Sequence, residues 1–334
     1  MPRSVRQSGT PWSCIVGIRW GLCCQFADGS VRFRQATHRY VATLEPTMRA
    51  AYLRDIARAN AIALAHAVAR CDELAIGAFR INSQVLPLIT HPVSGYTLQS
   101  LDVDGAITRS FASAGALARA CGIRLSFHPD QFVVLNSLRE NVVVSSVREL
   151  DAQAALASIV GADTITLHVG GMQEGKQPAL ERLERNMELL SPDARSRLAL
   201  ENDDRLFTVR DLLPLCKRTG VPLVYDVHHH RCNPDGLDVD DATDLATDTW
   251  CDREPWMHVS TARDGADARN PRPHADYIDP RDVPSSWLTR DITVDVEAKA
   301  KEYAIVTLRE ALRSPPRVPS RADIASSPRE RLAH

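Results

Sequence analysis

Short apolar runs alternate with longer amphipathic stretches along nearly the whole chain, and this alternation predicts its architecture. Runs at Cys14–Trp20, 78–81, 124–127, Thr164–His168, 197–201, 222–227, 255–260 and 291–297 have the length and composition of strands. Between the first two, Leu53, Ile56, Ala57, Leu64 and Val68 recur at spacings that place them on one face of a helix over 44–74. Further helical patterns cover 104–120, 145–160, 178–190, 208–218, 239–250 and 298–312. Gly122, Gly161 and Gly220 stand just past three of these helices, where a left-handed C-terminal stop is expected. Strands alternating with helices in this way predict an α/β protein with a parallel sheet, closed as a TIM (β/α)8 barrel in a single domain over residues 13–312. An open doubly wound sheet is the alternative architecture, but no G-x-G-x-x-G follows the first strand and no P-loop is present. Residues 1–12 are expected to form a flexible start. The Pro/Ser/Arg-rich stretch 313–334 is expected to be a disordered tail.

The strand ends carry the chemistry. Arg124-Leu-Ser-Phe runs into His128-Pro-Asp-Gln, and Pro129 cannot continue a ladder. Other runs end in His168, in Glu201, in Asp226 followed by His228, His229 and His230, in His258 and in Glu297. His91 sits in a loop bounded by Pro87 and Pro92, and His274 in a Pro-containing loop. In a parallel barrel the C-terminal strand ends meet on one rim. That rim would gather His91, His128, His168, Glu201, Asp226, His229, His258, His274 and Glu297 as a metal site. Imidazoles are neutral nitrogen donors and carboxylates can bridge, a set suited to two or three divalent cations. Each residue alone also has a plainer role. A strand-end His is often a hydrogen-bonded structural residue, and Glu297 could open the last helix as a favourable N-terminal charge. The three consecutive His could be a surface run, since neighbours on a strand face opposite ways.

Composition adds limits. The 334 residues are 44% apolar and 25% charged with a formal net charge of −2, so a polyanion could be held only by a local basic patch. The eight cysteines form no C-x-x-C pair and no framework, which suits reduced thiols in a cytoplasmic protein. No signal-type apolar region and no run long enough to span a membrane is seen.

Longer motifs carry a resemblance. Phe79-Arg-Ile-Asn-Ser83, His128-Pro-Asp-Gln-Phe-Val-Val-Leu-Asn-Ser137, Leu200-Glu-Asn-Asp-Asp204, Asp226-Val-His-His-His230, His274-Ala-Asp-Tyr-Ile278 and Val296-Glu-Ala-Lys-Ala-Lys301 resemble the UV damage endonuclease (UvdE/UvsE) family over residues 14–310. The resemblance implies a metal-dependent TIM barrel related to endonuclease IV that nicks DNA on the 5′ side of UV photoproducts and some other lesions. It implies that His91, His128, His168 and Glu201 form one part of a trinuclear cluster. Asp226, His258 and Glu297 would share Glu201 with it, and His229 and His274 would hold the third ion. Glu201, Asp226, His229 and Glu297 become the expected catalytic residues. Manganese is the expected metal, with magnesium, cobalt or zinc as alternatives. Gln131 would probe the distorted helix, and Phe132 would stack where a base is displaced. The partner is then damaged double-stranded DNA, met by a monomer without an obligate protein partner. With so little net charge, Arg263, Arg269 and Arg272, together with Arg32, Arg34 and Arg39, are the expected phosphate contacts.

The chain departs from the family pattern in two places. Trp256 stands where some relatives carry a modifiable lysine, two residues before His258, and Gly21–Cys24 lacks the Asn-containing segment common near the first strand. Two other functions remain open on the sequence alone. One is a metal-dependent barrel acting on a small molecule, such as a sugar isomerase or epimerase. The other is a non-catalytic lesion-binding or metal-storage protein.

Overall fold

The computed structural model describes residues 17–313. The two expected terminal segments fall almost entirely outside this range, as does the start of the expected first strand. Eight parallel strands close into a barrel in sequence order: β1 Arg19–Cys23, β2 Ala78–Ile81, β3 Arg124–Phe127, β4 Thr164–His168, β5 Leu198–Glu201, β6 Leu223–Asp226, β7 Trp256–Val259 and β8 Thr293–Val296. Closure is made by β1 against β8, with Gly21 opposite Asp295 and Leu22 opposite Val296. The TIM barrel expected from the sequence is therefore the observed fold.

Helices Pro46–Glu73, Ala106–Ala120, Glu140–Val160, Lys176–Met187, Val209–Thr219 and Glu302–Arg313 surround the sheet. Their apolar faces and the outward strand residues form one continuous core that runs from Leu22 and Phe79 through Leu167, Leu200 and Tyr225 to Val296. The barrel interior holds a smaller apolar layer that includes Ala78, Ala199, Val224 and Trp256. Gly161 and Gly220 end their helices at φ 77° and 72°, a conformation open to glycine at little cost.

Several boundaries differ from expectation, and three of the differences bear on the rim. β1 starts at Arg19, later than the expected 14–20 run, and extends through Gly21 to Cys23. The last helix begins at Glu302. Glu297 is not its first residue, because its N–H bonds Val259 O at 2.9 Å and so remains tied to the sheet. After β6 the chain turns at once into a six-residue helix, Val227–Cys232, capped by Asp226. Successive residues on a helix point about 100° apart, so the three histidines separate.

One buried polar side chain positions the rim. Asn60, in the first long helix, accepts from Arg34 N at 2.7 Å and donates to Arg34 O at 2.9 Å and Val85 O at 2.8 Å. It thereby ties the loop after β1 to the loop after β2. Among the described residues no helix is long and apolar enough to cross a membrane, and the seven described cysteines are unpaired.

Candidate metal centre

Eight of the nine expected ligands meet at the C-terminal rim. Glu201, nearly fully buried, is the hub. Its Oε2 lies 2.9 Å from His128 Nε2 and 3.5 Å from His168 Nε2, and its Oε1 lies 2.9 Å from His258 Nδ1 and 3.4 Å from His229 Nδ1. Asp226 Oδ2 is 3.7 Å from His229 Nδ1 and 4.0 Å from His258 Nδ1. Glu297 spans the far side, with Oε1 3.5 Å from His258 Nδ1 and Oε2 3.7 Å from His274 Nδ1.

The surrounding chain fixes several of these groups. His128 Nδ1 faces Pro129 O at 3.2 Å and His229 Nδ1 faces Asn202 O at 2.9 Å. With the Nδ1–H given to a main-chain carbonyl, Nε2 would be the nitrogen left for a cation once its own proton is displaced. Asn202 clamps Asp226 by two bonds of 2.9 Å, to its N–H and its carbonyl. Asp226 Oδ1 caps the short helix at His229 N, 2.8 Å away, while its Oδ2 is buried without a hydrogen-bond partner.

His91 stays apart, and no hydrogen bond, ion pair or ring contact joins it to the other eight. Its Nδ1 accepts from the N–H groups of Val93 and Ser94 at 3.1 and 3.0 Å, and its ring stacks on His38 with centroids 4.2 Å apart. Of the three consecutive histidines, His229 alone faces Glu201. His228 bonds Arg272 O at 3.3 Å, and His230 lies between Tyr225 Oη at 2.6 Å and Asp235 at 3.3 Å.

The electrostatics suit a cation. Burial alone would raise the Glu201 carboxyl, but His258, His168 and the bond from His128 outweigh it and hold the group well below the usual range. Burial likewise opposes ionised Glu297, and Arg80 and His258 overcome it, lowering that carboxyl too. His229 moves the other way. Burial disfavours its charge, yet Asp226, Glu201 and Glu297 raise it to about 9. A proton is thus held among carboxylates where a divalent ion would compete for the same lone pairs. The donor set, the orphaned Asp226 Oδ2 and two triads whose ligand atoms lie within 4.8 Å (His128, Glu201 and His258; Glu201, Asp226 and His229) fit a metal.

The residues expected to meet DNA follow the C-terminal ends of β1, β3 and β7. Gln131 and Phe132 are exposed, Phe132 at 75%, in the loop that His128 begins. Arg32, Arg34, Arg39 and Arg269 are exposed and have no acidic partner among the described residues. Arg263 is instead held by Asp264 at 2.7 Å and Arg272 by Asp204 at 3.1 Å. Sequence reasoning missed Arg80 and Asp295, which lie directly behind His258 and Glu297. The available signal was a charged residue in the middle of two otherwise apolar strands.

Residues 18–324 match the family described as UV-endonuclease UvdE. The chain is 33% identical over 307 residues to a UV DNA damage endonuclease of Deinococcus radiodurans, covering 89% of this chain and 96% of that protein. The crystal structure of SacUVDE superposes with a TM-score of 0.76 at 28% identity, over 88% of this chain and 98% of that one. Endonuclease IV from Thermus thermophilus, at 17% identity and a TM-score of 0.57 over 88% of this chain and 98% of that one, shares the barrel fold.

Proposed function

Because this chain belongs to the UV-endonuclease UvdE family, we propose that it is a metal-dependent DNA repair endonuclease. It hydrolyses the phosphodiester bond on the 5′ side of UV photoproducts and of other lesions that distort the helix. The observation that carries this reading is Glu201, one buried carboxylate within 3.5 Å of four imidazoles at the open end of the barrel.

Phosphodiester hydrolysis needs a nucleophile at neutral pH and relief of the negative charge that builds on phosphate. Two or three divalent cations bound at such a centre, manganese foremost, would supply both. The chain's part is to hold them. Glu201, with Asp226 and Glu297 beside it, would supply the carboxylates, and His128, His168, His229, His258 and His274 would supply the ring nitrogens. Main-chain acceptors at Pro129 and Asn202 keep two of those rings from turning.

Recognition follows from the exposed neighbours. Gln131 and Phe132 offer a polar probe and an aromatic face a few residues from His128, and stacking on an unpaired base contributes about 1–3 kcal/mol. A photoproduct weakens the local stack, so bending and extrusion cost less there than in intact duplex. Arg269 and the arginines after β1 are the phosphate contacts best placed to act, since their charges are not neutralised locally.

The test is incubation of irradiated and unirradiated supercoiled plasmid with purified protein and manganese. Nicking that requires irradiation and disappears in Glu201→Ala is the expected result. Wild-type nicking by Glu201→Ala would refute the assignment of Glu201, and no irradiation-dependent nicking by the wild type would refute the activity.

A further inference from the structure

Beneath the rim, at the level of His258, the barrel interior holds a buried ion pair between Arg80 of β2 and Asp295 of β8. The register sets Asp295 beside both His258 and Gly21. Arg80 reaches Asp295 Oδ2 through Nε at 2.9 Å and Nη2 at 2.8 Å, and Glu297 Oε1 through Nη1 at 2.7 Å. Its Nη2 is also 2.9 Å from His258 Nε2. The carboxylate has room because β1 places a glycine there: a Cβ at Gly21 would lie 2.1 Å from Asp295 Oδ1. Below this level Trp256 stands where some relatives carry a lysine, with Arg124 over its ring at 4.3 Å and an indole Nε1 that has no partner. The carboxylate behind His258 is that of Asp295, on β8.

Stability is a poor reason for this pair, since a buried ion pair is often no better than apolar residues of the same volume. Its contacts suggest another. A guanidinium nitrogen can only donate, so in this arrangement His258 Nε2 carries a lone pair and Nδ1–H donates to Glu201 Oε1. Coordination through Nδ1 needs the opposite tautomer, whose Nε2–H requires an acceptor. Asp295 Oδ2 lies 3.7 Å from Nε2, and Asp295 Oδ1 is buried without a partner.

We infer that Arg80 and Asp295 are positioning residues for the metal ligands His258 and Glu297. Arg80 holds Glu297 and the metal-free ring from behind, and Asp295 accepts a hydrogen bond from the Nε2–H of His258 when Nδ1 coordinates. The inference rests on the metal-binding reading of the centre and not on DNA cleavage, so its tests use no nucleic acid.

Nitrogen NMR of the wild-type protein, with zinc as a diamagnetic probe, reads the tautomer directly. Read at alkaline pH, where the ring is neutral, His258 Nε2 is expected to be unprotonated in the metal-free protein and protonated after zinc is added. A protonated Nε2 without metal, or no change on adding zinc, would overturn the inference. Calorimetric titration with manganese supplies a second reading. Asp295→Asn should weaken binding about 10–100-fold, the usual effect of losing a group that orients a ligand. The double variant Arg80→Met/Asp295→Leu removes both charges, and it should still bind manganese more weakly because the acceptor is gone. Wild-type affinity in the double variant would mean that the pair acts through charge alone, and the positioning role would fall.

Discussion

His229 makes the stability of the metal-free protein depend on pH in a way that can be worked out beforehand. Its imidazole ionises near 9 in the folded chain, against an ordinary value of 6.5, because Asp226, Glu201 and Glu297 outweigh the burial that disfavours its charge. Between those two values the folded protein holds a proton that the unfolded chain has released. The stabilisation is therefore complete below 6.5, declines as pH rises through that window and is gone above 9. At about 1.4 kcal/mol per pH unit the gap amounts to roughly 3 kcal/mol. The assay is urea denaturation in the presence of a chelator, at several pH values across the window, for wild type and His229→Gln. Subtracting the variant removes the slopes shared with Glu201, Glu297 and the other histidines. The difference in stability is expected to shrink by roughly 3 kcal/mol from the acid to the alkaline end. A difference that stays constant across the window would show that His229 is not the proton-holding group, and the electrostatic description of the centre would be wrong.

Other perturbations separate the parts of the site. Gln131→Ala should reduce the preference for irradiated over intact DNA while leaving manganese affinity unchanged; equal losses in both would make Gln131 a structural residue. Neutralising Arg269 and Arg34 together should lower the slope of log affinity against log salt by about 0.9 for each phosphate no longer neutralised, and an unchanged slope would remove both from the interface. Gly21→Ala should destabilise the protein by about 1–3 kcal/mol, as overpacking commonly does, because the added methyl collides with Asp295; an unaltered denaturation midpoint would count against the close approach.

Much of this fold is written in local pattern. The β2 and β4 runs are short and begin one and three residues after a glycine, Gly77 and Gly161, so strand and helix alternate visibly and a parallel barrel follows. The candidate ligands were legible for a related reason: His128, His168, Glu201, Asp226 and Glu297 each end or follow such a run, His258 stands one residue before the end of β7, and the barrel brings all those ends to one rim. His91 was named from a loop and from the family resemblance, not from a strand end. Its loop has no periodicity, and bonds from amides two and three residues onward occupy its Nδ1. The three consecutive histidines were ambiguous because a six-residue helix is too short to leave a period. Arg80 and Asp295 were hidden for the opposite reason. They are 215 residues apart and meet only where β8 closes on β1 and β2, so nothing near either residue signals the other.

Crystals of the protein soaked in manganese, measured for anomalous scattering, test the central claim most directly. The account predicts peaks among His128, Glu201 and His258 and among Glu201, Asp226 and His229. A rim without anomalous density, or ions bound only elsewhere on the surface, would contradict it.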